Sequence, residues 1–323
     1  MRRLAVVFTL AALAAGCGGD DENGGAASGD AGATQSKDVT IAMVTHGDGG
    51  SFWSVAKKGA EAAAEDLGVE LRYSESNNDP EAQAQMIEGA VTEGVDGLAV
   101  SAPDPDAIQA AVQTAVDAGI PVITLNSGAD ESSDLGAITH VGQTETIAGE
   151  GAGTKLKEAG VTKAICVIHE QGNVGLDQRC EGASEGFGGE LERLQVAGAN
   201  EISTTLTEIQ SKLESDTSID GVLTLNPDIA VAARDAIAGA GSEAKLATFD
   251  LSGDVIQAIQ ADEILFAVDQ QQYLQGYLPV VFLTLNKLNL NTVGGGLPVL
   301  TGPGFVDKSN AAEIQKLAED GTR

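Results

Sequence analysis

Seven polar residues stand at or just beyond the ends of short apolar runs: His46, Ser101, Asn126, His169, Asn226, Asp250 and Gln270. The set is neutral or singly acidic and rich in groups that donate and accept hydrogen bonds. Asn and Gln amides do both at once, as a sugar hydroxyl does, and a carboxylate such as Asp250 accepts from two hydroxyls. Such chemistry suits holding a polyhydroxylated solute. An enzyme has little to stand on. The late cysteines, Cys166 and Cys180, have no plausible catalytic partner, and the histidines at 46, 140 and 169 lack metal-ligand spacing. No catalytic residue, cofactor or metal is expected. "GEGAGTK" (149–155) imitates a phosphate loop, but it lacks the Gly-Lys-Ser/Thr ending and falls in a helical stretch. Each strand-end position also has a local reading, because Asn and Asp favour turns. The joint pattern carries the inference.

"HGDGGSFW" (46–53) sets the only tryptophan of a 323-residue chain beside a phenylalanine, although aromatics make up just 3% of the residues. An apolar ring face covers the C–H side of a sugar while the rim of the sugar is hydrogen-bonded. The alternative is that Phe52 or Trp53 fixes the first helix to its sheet. The turn from Gly47 to Gly50 reads as one that lets backbone approach the ligand. His46 and His169 stand between ligand contact and ordinary turn histidine, and His140 reads as structural.

Groups so far apart in sequence need a scaffold that gathers them. Apolar strands are expected at 39–45, 69–74, 97–101 and 121–126, then at 164–169, 221–226, 245–250 and 264–269. Between them lie helix-like stretches, among them 53–67, 81–93, 105–118, 143–159, 227–239 and 271–286. Strand–helix alternation implies parallel sheets covered on both faces. The globular part is long for one such sheet and divides near Gly142, so the expected fold class is α/β with two Rossmann-like, doubly wound lobes. In open α/β sheets ligands bind beyond the carboxyl ends of the strands, where the seven polar residues fall.

The beginning of the chain has the layout of a secretory signal: Arg2-Arg3, an apolar run from Leu4 to Ala15, then Gly16-Cys17. The run is too short to span a bilayer, which takes about 20 apolar residues. Ala14-Ala15-Gly16-Cys17 resembles a bacterial lipobox, which implies lipidation at Cys17, although Ala14 stands where leucine is usual. Residues 18–37, rich in Gly, Ala, Ser and Asp, read as a flexible tether. The formal charge of −30 makes nucleic acid an unsuitable partner. Export permits a disulfide, so Cys166 and Cys180 are expected to be bridged, with two buried thiols as the alternative.

From Asp38 to about Thr301 the chain resembles the type I periplasmic binding proteins of the ribose and simple-sugar family, the solute receptors of ABC importers. The carriers are "SFWSVAKKGAEAAAEDLGV" (51–69), "DGLAVSAPDPDAI" (96–108), "AGIPVITLNSG" (118–128), "RCEG" (179–182), "DGVLTLNPDIAVAA" (220–233) and "TFDLSGD" (248–254). The resemblance implies a three-segment hinge, with crossings near 141–144, 268–272 and 298–304. It places stacking aromatics at Phe52 and Trp53, and polar ligands at Ser101, Asn126, Asn226, Asp250 and Gln270. It also puts a gripping guanidinium at Arg179 and a further contact near Asn200. Asn126-Ser127 replaces the family's Asp-Arg pair, which removes one charged grip, and His46 and Asn173 are candidate replacements.

The resulting expectation is a lipid-anchored extracytoplasmic receptor that closes on a monosaccharide or polyol and delivers it to a permease and its ATPase. The membrane is met through the anchor alone, and a monomer is expected. The alternatives are a sugar-sensing lipoprotein partner of a receptor, or a receptor for a modified sugar or another small polar solute. The expected organisation is a signal peptide (1–16) and a lipidated, flexible segment (17–37). An N-terminal lobe (38–142 with 271–300) and a C-terminal lobe (143–270 with 301–323) follow.

Overall fold

The computed structural model describes residues 38–323. The expected signal peptide, Cys17 and the tether lie outside the described residues. Among the described residues no helix is long and apolar enough to cross a membrane.

Two six-stranded sheets organise the chain. The first holds β1 (Thr40–Thr45), β2 (Glu70–Glu75), β3 (Gly97–Ser101), β4 (Val122–Leu125), β5 (Thr139–Gly142) and β11 (Val299–Leu300), in the order β11-β5-β4-β3-β1-β2. The second holds β6 (Lys163–Ile168), β7 (Glu190–Gln195), β8 (Gly221–Thr224), β9 (Lys245–Phe249), β10 (Phe266–Asp269) and β12 (Gly304–Asp307), in the order β12-β10-β9-β8-β6-β7. All pairings are parallel except β10 with β12. The α/β class with two doubly wound lobes is therefore present. β1, β3 and β4 and, in the second sheet, β6 and β8 are almost wholly buried, because helices cover both faces.

In the first lobe α1 (Ser51–Leu67) and α9 (Gln272–Asn289) cover one face, while α2 (Pro80–Glu93) and α3 (Pro105–Asp117) cover the other. In the second, α4 (Glu145–Glu158) and α5 (Val174–Phe187) lie opposite α6 (Ile202–Ser215), α7 (Pro227–Gly239), α8 (Gly253–Gln260) and α10 (Ala311–Glu319). Several helices begin where their sequence dictates. Asp79, Asp104 and Asn226 accept backbone N–H groups at the starts of α2, α3 and α7, each followed by a proline with its φ preset for the first turn. The chain passes between the lobes three times, at 143–144, 270–271 and 301–303.

The α4–α5 seam explains two motif-like stretches. A Cβ on Gly149 would stand 2.2 Å from the Arg179 carbonyl oxygen, and one on Gly153 would stand 2.0 Å from that of Ala183. Gly182 and Gly186 meet Thr146 and Glu150 as closely from the other side. Gly149 and Gly153 of "GEGAGTK" thus let two helix backbones touch. Gly182 to Gly186 spells Gly-x-Ser-x-Gly, yet it lies inside α5 rather than on a strand-to-helix turn, and Ser184 faces solvent. Cys166 on β6 and Cys180 on α5 form a disulfide, which ties the same helix to the sheet.

Candidate functional site

A cavity of about 300 Å³, counting space open to solvent, lies between the lobes. His46, Phe52, Trp53, Asn126 and Ser127 line it from the first lobe, and Gln270 does so from a crossing. From the second lobe come His169, Glu170, Asn173, Leu176, Arg179, Leu225, Asn226 and Asp250. The position follows from topology. In each sheet the strand order reverses beside the first strand, opening a crevice there. His46 follows β1, and His169 and Glu170 follow β6, so the two crevices face each other.

Phe52 and Trp53 are each 4% exposed and belong to the first-lobe core as well as to the cavity wall. Their rings meet edge to face at 5.0 Å, and His46 meets Trp53 likewise at 4.8 Å. The two sequence readings of this pair are therefore compatible: the rings anchor α1 and still present apolar surface to the cavity.

Ser101 is fully buried beneath His46 and does not line the cavity, a correction to its expected role as a direct contact. Its Oγ accepts the His46 backbone N–H at 2.9 Å and a longer bond from Gln83 Nε2. The same Oγ is hydrogen-bonded to His46 Nδ1, 2.7 Å away. The other ring nitrogen, His46 Nε2, faces Glu170 Oε2 at 3.5 Å.

Glu170 is the principal group that sequence reasoning missed, although it adjoins the weighed His169. Burial would raise its carboxyl. His46, His169 (Nε2 at 3.6 Å) and the Asn173 amide (2.6 Å) instead hold it well below the ordinary carboxylate range. Burial lowers His169, against the pull of Glu170, and its Nδ1 has no partner.

Arg179 is 3% exposed. Its Nε and one terminal nitrogen donate to Glu145 at 2.6 and 2.9 Å, and the other donates to the Leu225 carbonyl at 3.3 Å. Burial opposes the charge, but Glu145 and Asp250 outweigh it and raise the guanidinium further. Asp250 stands 3.9 Å from Arg179 and accepts from Gln270 Nε2 at 2.7 Å. Its burial dominates, so its carboxyl is pushed up to about 7.

Amides complete the rim. Asn126 and Asp250 end the fourth strands of their sheets in left-handed conformations, φ 63° and 69°, which Asn and Asp tolerate better than most residues. Asn126 Nδ2 donates to Gln270 and Gln275, while its Oδ1 accepts from Ser127. Asn226 Oδ1 caps α7, which frees its Nδ2 end for the cavity. Asn173 caps α5 and accepts from Ser127 across the cleft.

Asn200 lies away from the cavity. It is exposed and donates to Asn77 Oδ1 at 2.9 Å, bridging the lobes at the surface, which corrects its expected ligand role. The Gly47 to Gly50 turn also serves protein groups. A Cβ at Gly47 would meet Trp53 and Glu75, and one at Gly50 would meet Asp228 of the other lobe. Ser51, next in the chain, donates its N–H to Asp228 at 3.0 Å and its hydroxyl to the same carboxylate.

Residues 41–285 match the periplasmic binding protein domain. The chain belongs to the type I periplasmic sugar-binding protein family. A carbohydrate transporter from Acidothermus cellulolyticus, crystallised with myo-inositol, is 45% identical to this binding protein, with a TM-score of 0.86 over 88% of this chain and 99% of that one. The ribose import binding protein of Bacillus subtilis is 25% identical over 75% of this chain and 79% of its own length. The fructose import binding protein of Bifidobacterium longum is likewise 25% identical, over 83% and 84%. This binding protein is thus a substrate-binding component of a sugar ABC importer, rather than an enzyme, in an extracytoplasmic family.

Proposed function

We propose that this protein is a lipid-anchored receptor that closes on a cyclic polyol or monosaccharide and presents it to a membrane permease and its ATPase. The observation that carries the reading is one cavity walled by both lobes, with an aromatic surface from Phe52 and Trp53 and a rim of amides, carboxylates and Arg179. A ring with hydroxyls around its edge and C–H bonds on its face meets each of these surfaces at once. Closure is a hinge motion, favoured by ligand through contacts that only the closed form completes.

The resemblance to a transporter crystallised with myo-inositol supports cyclitols as the first solutes to try. The site residues proposed are His46, Phe52, Trp53, Asn126, Asn173, Arg179, Asn226, Asp250 and Gln270, joined by Ser127, His169 and Glu170. Cys17 is the proposed anchor, in a chain acting as a monomer. Calorimetric titration with myo-inositol, ribose, xylose, glucose and fructose tests the reading. Saturable binding of at least one, reduced by Phe52→Ala and Trp53→Ala, is expected; no heat from any of these solutes would overturn it. Labelling by lipid precursor in Cys17→Ser against wild type tests the anchor.

A further inference from the structure

The buried charges of the cavity do not balance. Among the described residues Arg179 is the only fixed cation lining it, and Glu145 already engages Arg179 at two nitrogens. Two further carboxylates, Glu170 and Asp250, line the same cavity. Beside Glu170 stand only the titratable rings of His46 and His169, with Nε2 atoms at 3.5 and 3.6 Å, and burial lowers His169. The unused hydrogen-bonding capacity has the same sense. His169 Nδ1 has no hydrogen-bond partner in a residue 92% buried, and its Nε2 stands 3.6 Å from Glu170. Burying an anion without a counter-charge is costly, and burial pushes the Asp250 carboxyl up to about 7.

We infer that the favoured ligand carries an ammonium group in place of one hydroxyl, as an aminocyclitol or amino sugar does, with Glu170 as its counter-ion. This deepens the polyol reading above and rests on it. An ammonium supplies the missing positive charge and three donors, for acceptors that include Glu170, Asp250 and His169 Nδ1. Phe52 and Trp53 still face the ring.

The test is calorimetry at pH 7 with matched pairs, an inosamine against the corresponding inositol and glucosamine against glucose. It is run in two buffers of different ionisation enthalpy to count protons. In at least one pair the amine should bind about tenfold or more tightly than its hydroxyl twin, the advantage of a charge-assisted hydrogen bond over a neutral one. Glu170→Gln should shrink that ratio toward one. Asp250→Asn, read by the same ratio, serves if the first variant does not fold. Equal or tighter binding of the neutral twins, with a proton taken up from buffer, would overturn the inference and leave the polyol reading standing. Silence from all four compounds and from the neutral panel would overturn both.

Discussion

Arg179 and Glu145 are each almost fully buried, and they form an ion pair at 2.6 Å. Removing one partner strands a charge in a dry interior. Glu145→Gln should therefore cost about 3–5 kcal/mol in urea denaturation, and Arg179→Ala a similar amount. Asp250 sets a pH dependence of the opposite kind from that of a typical salt-bridged carboxylate. Its folded carboxyl titrates near 7 rather than at the ordinary 3.8, so between these values the folded state holds the proton more firmly than the unfolded chain. Its contribution is complete below pH 3.8 and is lost as pH rises through 7. Ligand-free Asp250→Asn should gain stability relative to wild type at pH 8, by a few kcal/mol at most, and little at pH 4. Melting curves at both values check this. At this scale the sequence was informative wherever a polar group ended a strand, as at His46, Asn126 and Asp250. It misplaced Ser101, whose side chain points beneath the neighbouring turn, and Asn200, which bridges the lobes at the surface away from the cavity. Glu145 and Glu170 escaped because a charged residue in such an acidic chain has the composition of a solvated surface.

The strands read as expected where both faces are buried and the apolar run is continuous. β5 and β7 were not foreseen, nor were the short strands β11 and β12. β5 is four residues long and carries His140, and β7 is an edge strand, "ELERLQ", whose residues are largely exposed or half-exposed. α5 was hidden for another reason. Its buried face is built of Gly175, Arg179, Cys180, Gly182 and Ala183 as much as of Leu176 and Phe187, so it shows little apolar contrast. That face matters because α5 carries Arg179 and α4 carries Glu145. Gly153→Ala would drive a methyl to 2.0 Å from a backbone carbonyl and force the helices apart. A loss of about 1–3 kcal/mol is expected, with weakened ligand binding, because the ion pair spans the seam. A thermal melt together with a titration separates the two effects. The Cys166–Cys180 bridge acts on the same helix, and its reduction should remove roughly 3 kcal/mol in the chain-entropy model.

The lobes meet through bonds outside the cavity: Ser51 with Asp228, Asn200 with Asn77, and Gln178 with Asp130 at 3.1 Å. These contacts favour the closed arrangement whatever fills the cleft, so they set how much ligand energy is left for affinity. Asp228→Ala should enlarge the radius of gyration of the ligand-free protein in small-angle scattering. It should also weaken binding severalfold, with the radius returning to the wild-type value at saturation. Two lobes and a change of sheet near Gly142 were legible because the strand–helix rhythm repeats. The latch was not, since Ser51 and Asp228 are separated by 177 positions and each resembles an ordinary helix start.

Both sheets wind in the same order, 2-1-3-4-5, with a sixth strand brought back by the C-terminal crossings. Each half therefore contributes corresponding loops to the shared chamber, as two copies of one hand would close on an object. A new solute can be accommodated by rewriting fingertips on one hand while the palms, the wrist and the other hand keep their sequence. Diversification of this architecture then amounts to editing loops in pairs, and chimeras that exchange one whole lobe between relatives become a direct way to ask which half reads which face of the solute.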